Sequence, residues 1–240
     1  MQKRLVRKLD LEVLLSKVEP HPAPKPSLEQ YTIPADVAAM MLRIAAYMNG
    51  DIEGKTILDL GCGTGRLALG AAFLGARRIV GIDLDKTAIE TAVGNSHRLR
   101  LQGEVEWVVA DIDAVHGCFD TVLQNPPYGV QTRRADRRFI ARALQVGKKV
   151  YSLHKSLEKD SEFIDRLKAN PDGFAPVAPS PFLQTYIEEH GGRIAAVYAM
   201  VMSLPHMFSF HSKKRHEFVV DLYVLEATSR GHRGNRCTLS

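Results

Sequence analysis

The chain has 240 residues, a net charge of +5 and 25% charged residues. That length suits one well-filled core with appendages, and no stretch reads as a spanning helix or a signal peptide. Cys62, Cys118 and Cys237 lie far apart with no Cys-x-x-Cys pair, so neither a zinc site nor a disulfide framework is expected and the cytoplasm is the default compartment.

Taken in order, Leu11, Leu14, Leu15 and Val18 recur at helical spacing behind Lys3, Arg4, Arg7 and Lys8, which predicts a short amphipathic helix. Its basic end is read either as a phosphate contact or as a solvated helix end. Four prolines between Pro20 and Pro26 forbid helix and predict an extended linker. A helix should then run from Pro34 to Met48, with Val37, Met40, Met41, Ile44 and Ala45 on one face.

From residue 55 the pattern is βαβ. Thr56–Leu60 reads as a strand, Gly61-Cys62-Gly63-Thr64-Gly65 as a turn into an alanine-rich helix, and Arg78–Ile82 as a second strand ending in Asp83. Small residues before a helix N-terminus allow a ligand to approach free N–H groups. Asp83 lies 18 residues after Gly65 (83 − 65), the interval of an acidic residue that holds a ribose diol. A dinucleotide enzyme is the first rival, but the turn lacks the Gly-x-Gly-x-x-Gly form. Asp59, at the strand end, would repel a pyrophosphate and suits the ammonium group of S-adenosylmethionine.

Ile89–Arg100 is expected to be a helix and Val105–Ala110 a strand. Asp111 after it could accept from an adenine amino group, with Ile112 offering a backbone donor; a turn-forming aspartate is the alternative. Phe119–Leu123 is a further apolar strand, halted by Asn125-Pro126-Pro127-Tyr128. This places an amide, carbonyls and a ring at the carboxyl end of a strand, where open α/β sheets bind ligands. The chemistry that needs these groups is methylation of a conjugated amino group: the Asn125 side chain and the Pro126 carbonyl accept its two hydrogens, and Tyr128 stacks on the ring.

The run from Gln131 to Arg138 holds four arginines, with Arg133 and Arg134 expected to grip phosphates; a solvated loop is the equal alternative. Lys149–Leu153 is a fifth strand ending in His154 and Lys155, both expected to contact phosphates, with a base as the alternative role for His154. Asp160–Ala169 and a segment closing at Tyr186–His190 read as helices, with a Pro/Gly-rich insertion of unassigned structure at Asn170–Pro181. Arg193–Met202 and Glu217–Leu225 form an antiparallel closing pair. The segment between them, including His211, Lys213, Lys214 and Arg215, interleaves basic and aromatic residues, which suits single-stranded nucleic acid; a basic hairpin tip is the alternative.

Five segments jointly carry a resemblance: Leu28-Glu29-Gln30-Tyr31, Asp59 to Gly63, Asn125 to Gly129, Tyr151 to Lys155 and Phe210 to Lys214. In that order they resemble the archaeal branch of the methyltransferase-like protein 5 family, which methylates adenine N6 in small-subunit ribosomal RNA. The resemblance implies S-adenosylmethionine as cofactor, contacted by Gln30, Gly61, Thr64, Arg66, Asp83 and Asp111, with Tyr31, Gly63 and Gly65 in the same motifs. It implies Asn125 to Tyr128 around the target base, and RNA as partner. The family tends to have Thr where this chain has Ile33, so Thr32 is the expected substitute, and it often has Phe where this chain has Tyr128. Eukaryotic relatives work with a small zinc-containing activator protein.

The expected architecture is α/β: a Rossmann-like class I methyltransferase with a seven-stranded, mostly parallel sheet closed by an antiparallel strand. Residues 1–27 form the N-terminal helix and linker, 28–228 the methyltransferase domain and 229–240 a basic tail. A glutamine-N5 protein methyltransferase shares Asn-Pro-Pro-Tyr and is the alternative activity. A non-catalytic RNA-binding relative with a vestigial cofactor pocket is the alternative of another class.

Overall fold

The computed structural model describes residues 6–25, 30, 32–128, 135–158, 160–205 and 215–228. Short apolar runs build an eight-stranded sheet with the order β3-β2-β1-β4-β5-β8-β7-β6. The strands are β1 (Thr56–Leu60), β2 (Arg78–Asp83), β3 (Val105–Val109), β4 (Phe119–Gln124), β5 (Gly147–Lys155), β6 (Phe174–Pro176), β7 (Gly192–Pro205) and β8 (Arg215–Ala227). The first five are parallel, and β8, β7 and β6 add antiparallel to β5 in that sequence.

The eighth strand is the one the sequence left unassigned. β6 lies inside the Pro/Gly-rich insertion and pairs Phe174 with Met200 and Pro176 with Tyr198. Pro176 is tolerated because an edge strand does not need every N–H.

Helices cover both faces. α1 (Lys8–Ser16), α2 (Ala35–Arg43, continued by a π-helical turn, Ile44–Met48) and α3 (Arg66–Phe73) bury one face around Leu11, Leu15, Met41, Leu69, Leu123 and Tyr151. Leu11 and Leu15 are fully buried, so the N-terminal helix belongs to the same core as the sheet. Burying each such leucine is worth about 1.5–3 kcal/mol. α5 (Ala135–Val146) and α7 (Pro181–Glu189) bury the other face around Val122, Ile140, Leu144, Val150, Ile187 and Tyr223. α6 (Ser161–Ala169) packs Leu167 on Ala199 and Val219.

α4 (Lys86–Arg98) begins three residues before the expected Ile89, because Asp85 caps it by accepting from the Thr87 N–H at 2.9 Å. α7 likewise starts at Pro181, a residue suited to the first helical turn. Among the described residues, no helix is long and apolar enough to cross a membrane.

Candidate active site

The sheet order brings β1 and β4 side by side at its centre, and their carboxyl ends open into one cavity of about 280 Å³. This is the point where the chain changes direction of winding, the usual ligand site of such sheets. The wall includes Asp59, Gly61, Gly63 and Thr64 from the β1 end, Asp83 from β2, Asp111 and Ile112 after β3, and Asn125 and Pro127 after β4. Gln30 and Thr32 close it from the N-terminal side. The two halves read separately in the sequence, the glycine turn and the Asn-Pro-Pro-Tyr segment, therefore face one space.

The glycine turn hangs on β2: the Gly61 and Cys62 N–H groups both donate to the Ile82 carbonyl at 2.9 Å. Gly61, Gly63 and Gly65 take φ of 73°, 53° and 88°, the left-handed region that favours glycine. Their surroundings differ. A Cβ on Gly65 would lie 2.4 Å from the Trp107 ring and one on Gly61 2.7 Å from Phe139, whereas one on Gly63 meets nothing within 4 Å. Packing against aromatic rings adds a second requirement at two of the glycines, and only Gly63 leaves open space.

Asp59 is 1% exposed and accepts from the Ala68 N–H at 2.8 Å. Burial pushes its carboxyl up to about 7, partly offset by that bond and reinforced by Asp83. Asp83 accepts from the Gly63 N–H at 2.8 Å and the Asp85 N–H at 2.9 Å, and burial raises its pKa too. Cys62 is held as a thiol by burial, with Asp59 and Asp83 adding to the effect.

Asp111 is a turn-forming aspartate at the cavity wall. Its Oδ1 accepts from the Asp113 N–H at 2.9 Å, capping a 3₁₀ turn (Ile112–Ala114), while the residue also lines the cavity. Arg138 pairs with Asp111 and Asp113. The guanidinium of Arg137 lies 4.3 Å over the Phe182 ring. Two of the four arginines thus serve the fold, and Arg133 and Arg134 lie outside the described residues.

Arg66 lines the cavity but turns its guanidinium to the backbone, donating to the Val18 carbonyl at 2.8 Å and to that of Ile33. Burial lowers its pKa to about 10, Asp36 opposing. Gln30 donates from Nε2 to Asp85 at 2.9 Å and accepts at Oε1 from the Lys25 N–H at 2.9 Å. One N–H and one lone pair of that amide remain for a ligand.

On the acceptor side, Pro126 is buried, and the Tyr128 hydroxyl lies 3.4 Å from Asn125 Oδ1 and 3.6 Å from Met202 Sδ. Its ring meets Phe218 edge to face at 6.1 Å. Lys155 is exposed, with Nζ 5.8 Å above the same Phe218 ring, so it stands at the rim near Tyr128.

His154 is corrected. It is 4% exposed, its Nε2 lies 2.7 Å from Ser152 Oγ, and its ring packs edge-on against Tyr223 at 5.3 Å. Burial lowers its pKa to about 4, so it is a neutral core residue and offers phosphate no charge. Tyr31, His211, Lys213 and Lys214 lie outside the described residues, as does the side chain of Arg215.

Residues the sequence reading missed at the site include His21 and Phe139. His21, in the proline-rich segment, lines the cavity, and Phe139 of α5 packs across the glycine turn. A helical apolar stripe signalled Phe139; nothing local signalled His21.

The residues present fit S-adenosylmethionine. Thr64 Oγ1 and Arg66 Nε are buried around the cavity without a hydrogen-bond partner, which is costly unless a ligand supplies one. The buried Asp59 carboxyl suits a cationic amino acid end.

Residues 39–125 match the model of the ribosomal protein L11 methyltransferase family. An uncharacterized protein of Methanocaldococcus jannaschii is 35% identical, over 92% of this chain and 95% of its own. The rRNA N(6)-adenosine-methyltransferase Mettl5 of Drosophila melanogaster is 33% identical, over 90% of this chain and 94% of its own. The chain belongs to the methyltransferase-like protein 5 family. A solved member of the same fold, a candidate RNA methyltransferase of Pyrococcus horikoshii, superposes with a TM-score of 0.77 at 32% identity, covering 94% of this chain and all of the other. Membership in the methyltransferase-like protein 5 family agrees with a donor pocket and an Asn-Pro-Pro-Tyr segment sharing one cavity.

Proposed function

We propose that the protein transfers a methyl group from S-adenosylmethionine to N6 of an adenosine in RNA, with small-subunit ribosomal RNA as substrate and the cytoplasm as compartment. The observation that carries this is the shared cavity: Asn125 and Pro127 line the same space as Asp59, Gly63 and Asp83.

When bound, S-adenosylmethionine supplies a methyl already activated on a sulfonium. The residues need not provide a strong base; they must orient the acceptor. In this reading Asn125 Oδ1 and the Pro126 carbonyl accept the two N6 hydrogens and Tyr128 stacks on the base. The cofactor would supply the methyl and keep the electron pair of the S–C bond it gives up, and the excess N6 proton would pass to solvent. Asp59 and Asp83 hold the amino acid and ribose ends, and Asp111 with Ile112 the adenine. A base inside a helix cannot reach Asn125, so the substrate adenosine must be single-stranded or flipped out. Lys155 at the rim, with Arg133, Arg134, Lys213, Lys214 and Arg215, is assigned to the flanking phosphates.

Transfer of isotopic methyl to purified small-subunit rRNA, followed by nucleoside analysis, tests the reading. N6-methyladenosine on rRNA supports it, and label on release-factor glutamine instead would replace it with protein methylation. A small zinc-binding activator protein is the partner proposed from the family. Comparing the chain alone with the chain plus that partner tests whether one is needed.

A further inference from the structure

Three parts of the cavity wall meet on a residue behind it. Asp85 Oδ2 accepts from Gln30 Nε2 at 2.9 Å and lies 3.4 Å from His21 Nε2. The Asp85 N–H donates to Asp83 Oδ1 at 2.9 Å, and its other carboxylate oxygen accepts from the Thr87 N–H at 2.9 Å. Lys25 Nζ stands 3.1 Å from Oδ2. Asp85 is 6% exposed, and a carboxylate so enclosed is tolerated only among donors of this kind.

The arms are held differently. The Gln30 amide is engaged at both ends, by Asp85 and by the Lys25 N–H. His21 Nδ1 accepts from the Ala23 N–H at 3.0 Å, which turns the buried Nε2, itself without a hydrogen-bond partner, to within 3.4 Å of Asp85. The Gln30 hydrogen bond, with Lys25 and the Thr87 N–H, holds the Asp85 carboxyl far below the usual carboxylate range despite its burial.

We propose that Asp85 is a positioning residue for cofactor recognition: its buried carboxylate holds Gln30 beside His21 while its backbone N–H holds Asp83, which sets the three around the ribose end of the cavity. This rests on S-adenosylmethionine being the ligand. The carboxylate itself does not line the cavity, so its effect passes through the side chains it holds.

Calorimetric titration with S-adenosylmethionine and S-adenosylhomocysteine tests it on the wild type, Asp85→Asn, Gln30→Ala and the double variant. Asparagine caps helices as well as aspartate, so α4 keeps its start, and a thermal melt checks this. Asp85→Asn should weaken binding of both ligands roughly 10–100-fold, the scale of hydrogen bonds to a charged group. The double variant should be no more than about threefold weaker than the worse single one. Unchanged affinity in Asp85→Asn, or effects that simply multiply, would overturn the proposal. If Asp85→Asn fails to fold, Gln30→Ala and His21→Phe replace it, since both residues meet at Asp85. Their combined effect should then fall short of the product of the two, and a full product would overturn it. A wild type that binds neither ligand would instead overturn the methyl-donor reading on which this depends.

Discussion

The hydroxyl of Tyr128 lies 3.4 Å from Oδ1 of Asn125, the oxygen assigned to accept an amino hydrogen of the substrate. A hydrogen donated by the phenol occupies a lone pair without adding an acceptor. Tyr128→Phe should therefore keep turnover within about threefold of wild type, since a contact this long is weak. Tyr128→Ala removes the stacking face and should weaken substrate binding by about 1–3 kcal/mol. Steady-state kinetics on an RNA substrate separate the two, and a Phe variant as impaired as Ala would assign the hydroxyl a direct role.

Asn125→Ala removes one acceptor aimed at the reacting nitrogen. Turnover should fall by roughly 10²–10³-fold, as when one transition-state hydrogen bond is deleted. Cofactor affinity measured by calorimetry should stay near wild type, because the lost amide serves the substrate. Wild-type turnover in this variant would remove Asn125 from the reaction.

Asp59 couples cofactor binding to pH. Its carboxyl is raised to about 7 by burial, so the folded protein holds a proton there that the unfolded chain releases near pH 4. Its contribution to stability is full below that value and is lost as pH rises through about 7. A bound cation favours the ionised form, so binding should release a proton and tighten between pH 6 and 8. Calorimetry in buffers of different ionisation enthalpy reads this release directly. Asp59→Asn should abolish it, and equal proton release in that variant would sink the assignment.

His154 has the opposite sign. Its pKa falls to about 4, so stability is full above the unfolded value near 6.5 and is lost as pH falls toward 4, by about 3 kcal/mol in the limit. Asp221, its neighbour in register on β8, is raised to about 6 by burial and titrates in an overlapping window with the reverse slope. The difference between wild type and His154→Leu isolates the histidine. That difference in unfolding free energy should shrink as pH falls from 6.5 to 4; a flat difference would argue against a neutral buried ring.

Gly63→Ala and Gly65→Ala should part company. Both carry positive φ, costing about 1–2 kcal/mol for a side chain. Only at Gly65 does the new Cβ also strike Trp107, adding about 1–3 kcal/mol. Denaturant melts should rank Gly65→Ala clearly below Gly63→Ala, and equal stabilities would contradict the packing.

How much of this was legible in the sequence depends on how local each cause is. The five parallel strands announced themselves as apolar runs between turn residues. β6 did not, being three residues long with a proline at its end; only its partner β7 makes it a strand. Asp59, Gly63, Asp83 and Asn125 were readable because strand ends bring them to one edge. Asp85 could have been found as a cap two residues beyond β2, but its pairing with Gln30 spans 55 residues and needs the folded linker. His154 was misassigned by its position at a strand end. β5 is buried on both faces from Val150 to His154, so a side chain there is enclosed whichever face it takes.

The boundary between β1 and β4 divides the protein in time as well as in space. Translation completes the glycine turn, Asp83 and Asp111 before it reaches Asn125, and nearly the whole donor wall precedes that residue. The later elements, α5 through β8, add only Arg138 and Phe139 of α5 to that wall. A change of substrate can therefore arise by rewriting the second half alone, leaving the methyl donor's pocket as inherited. The match to the L11 methyltransferase family stops at residue 125, the residue at which that wall is nearly complete.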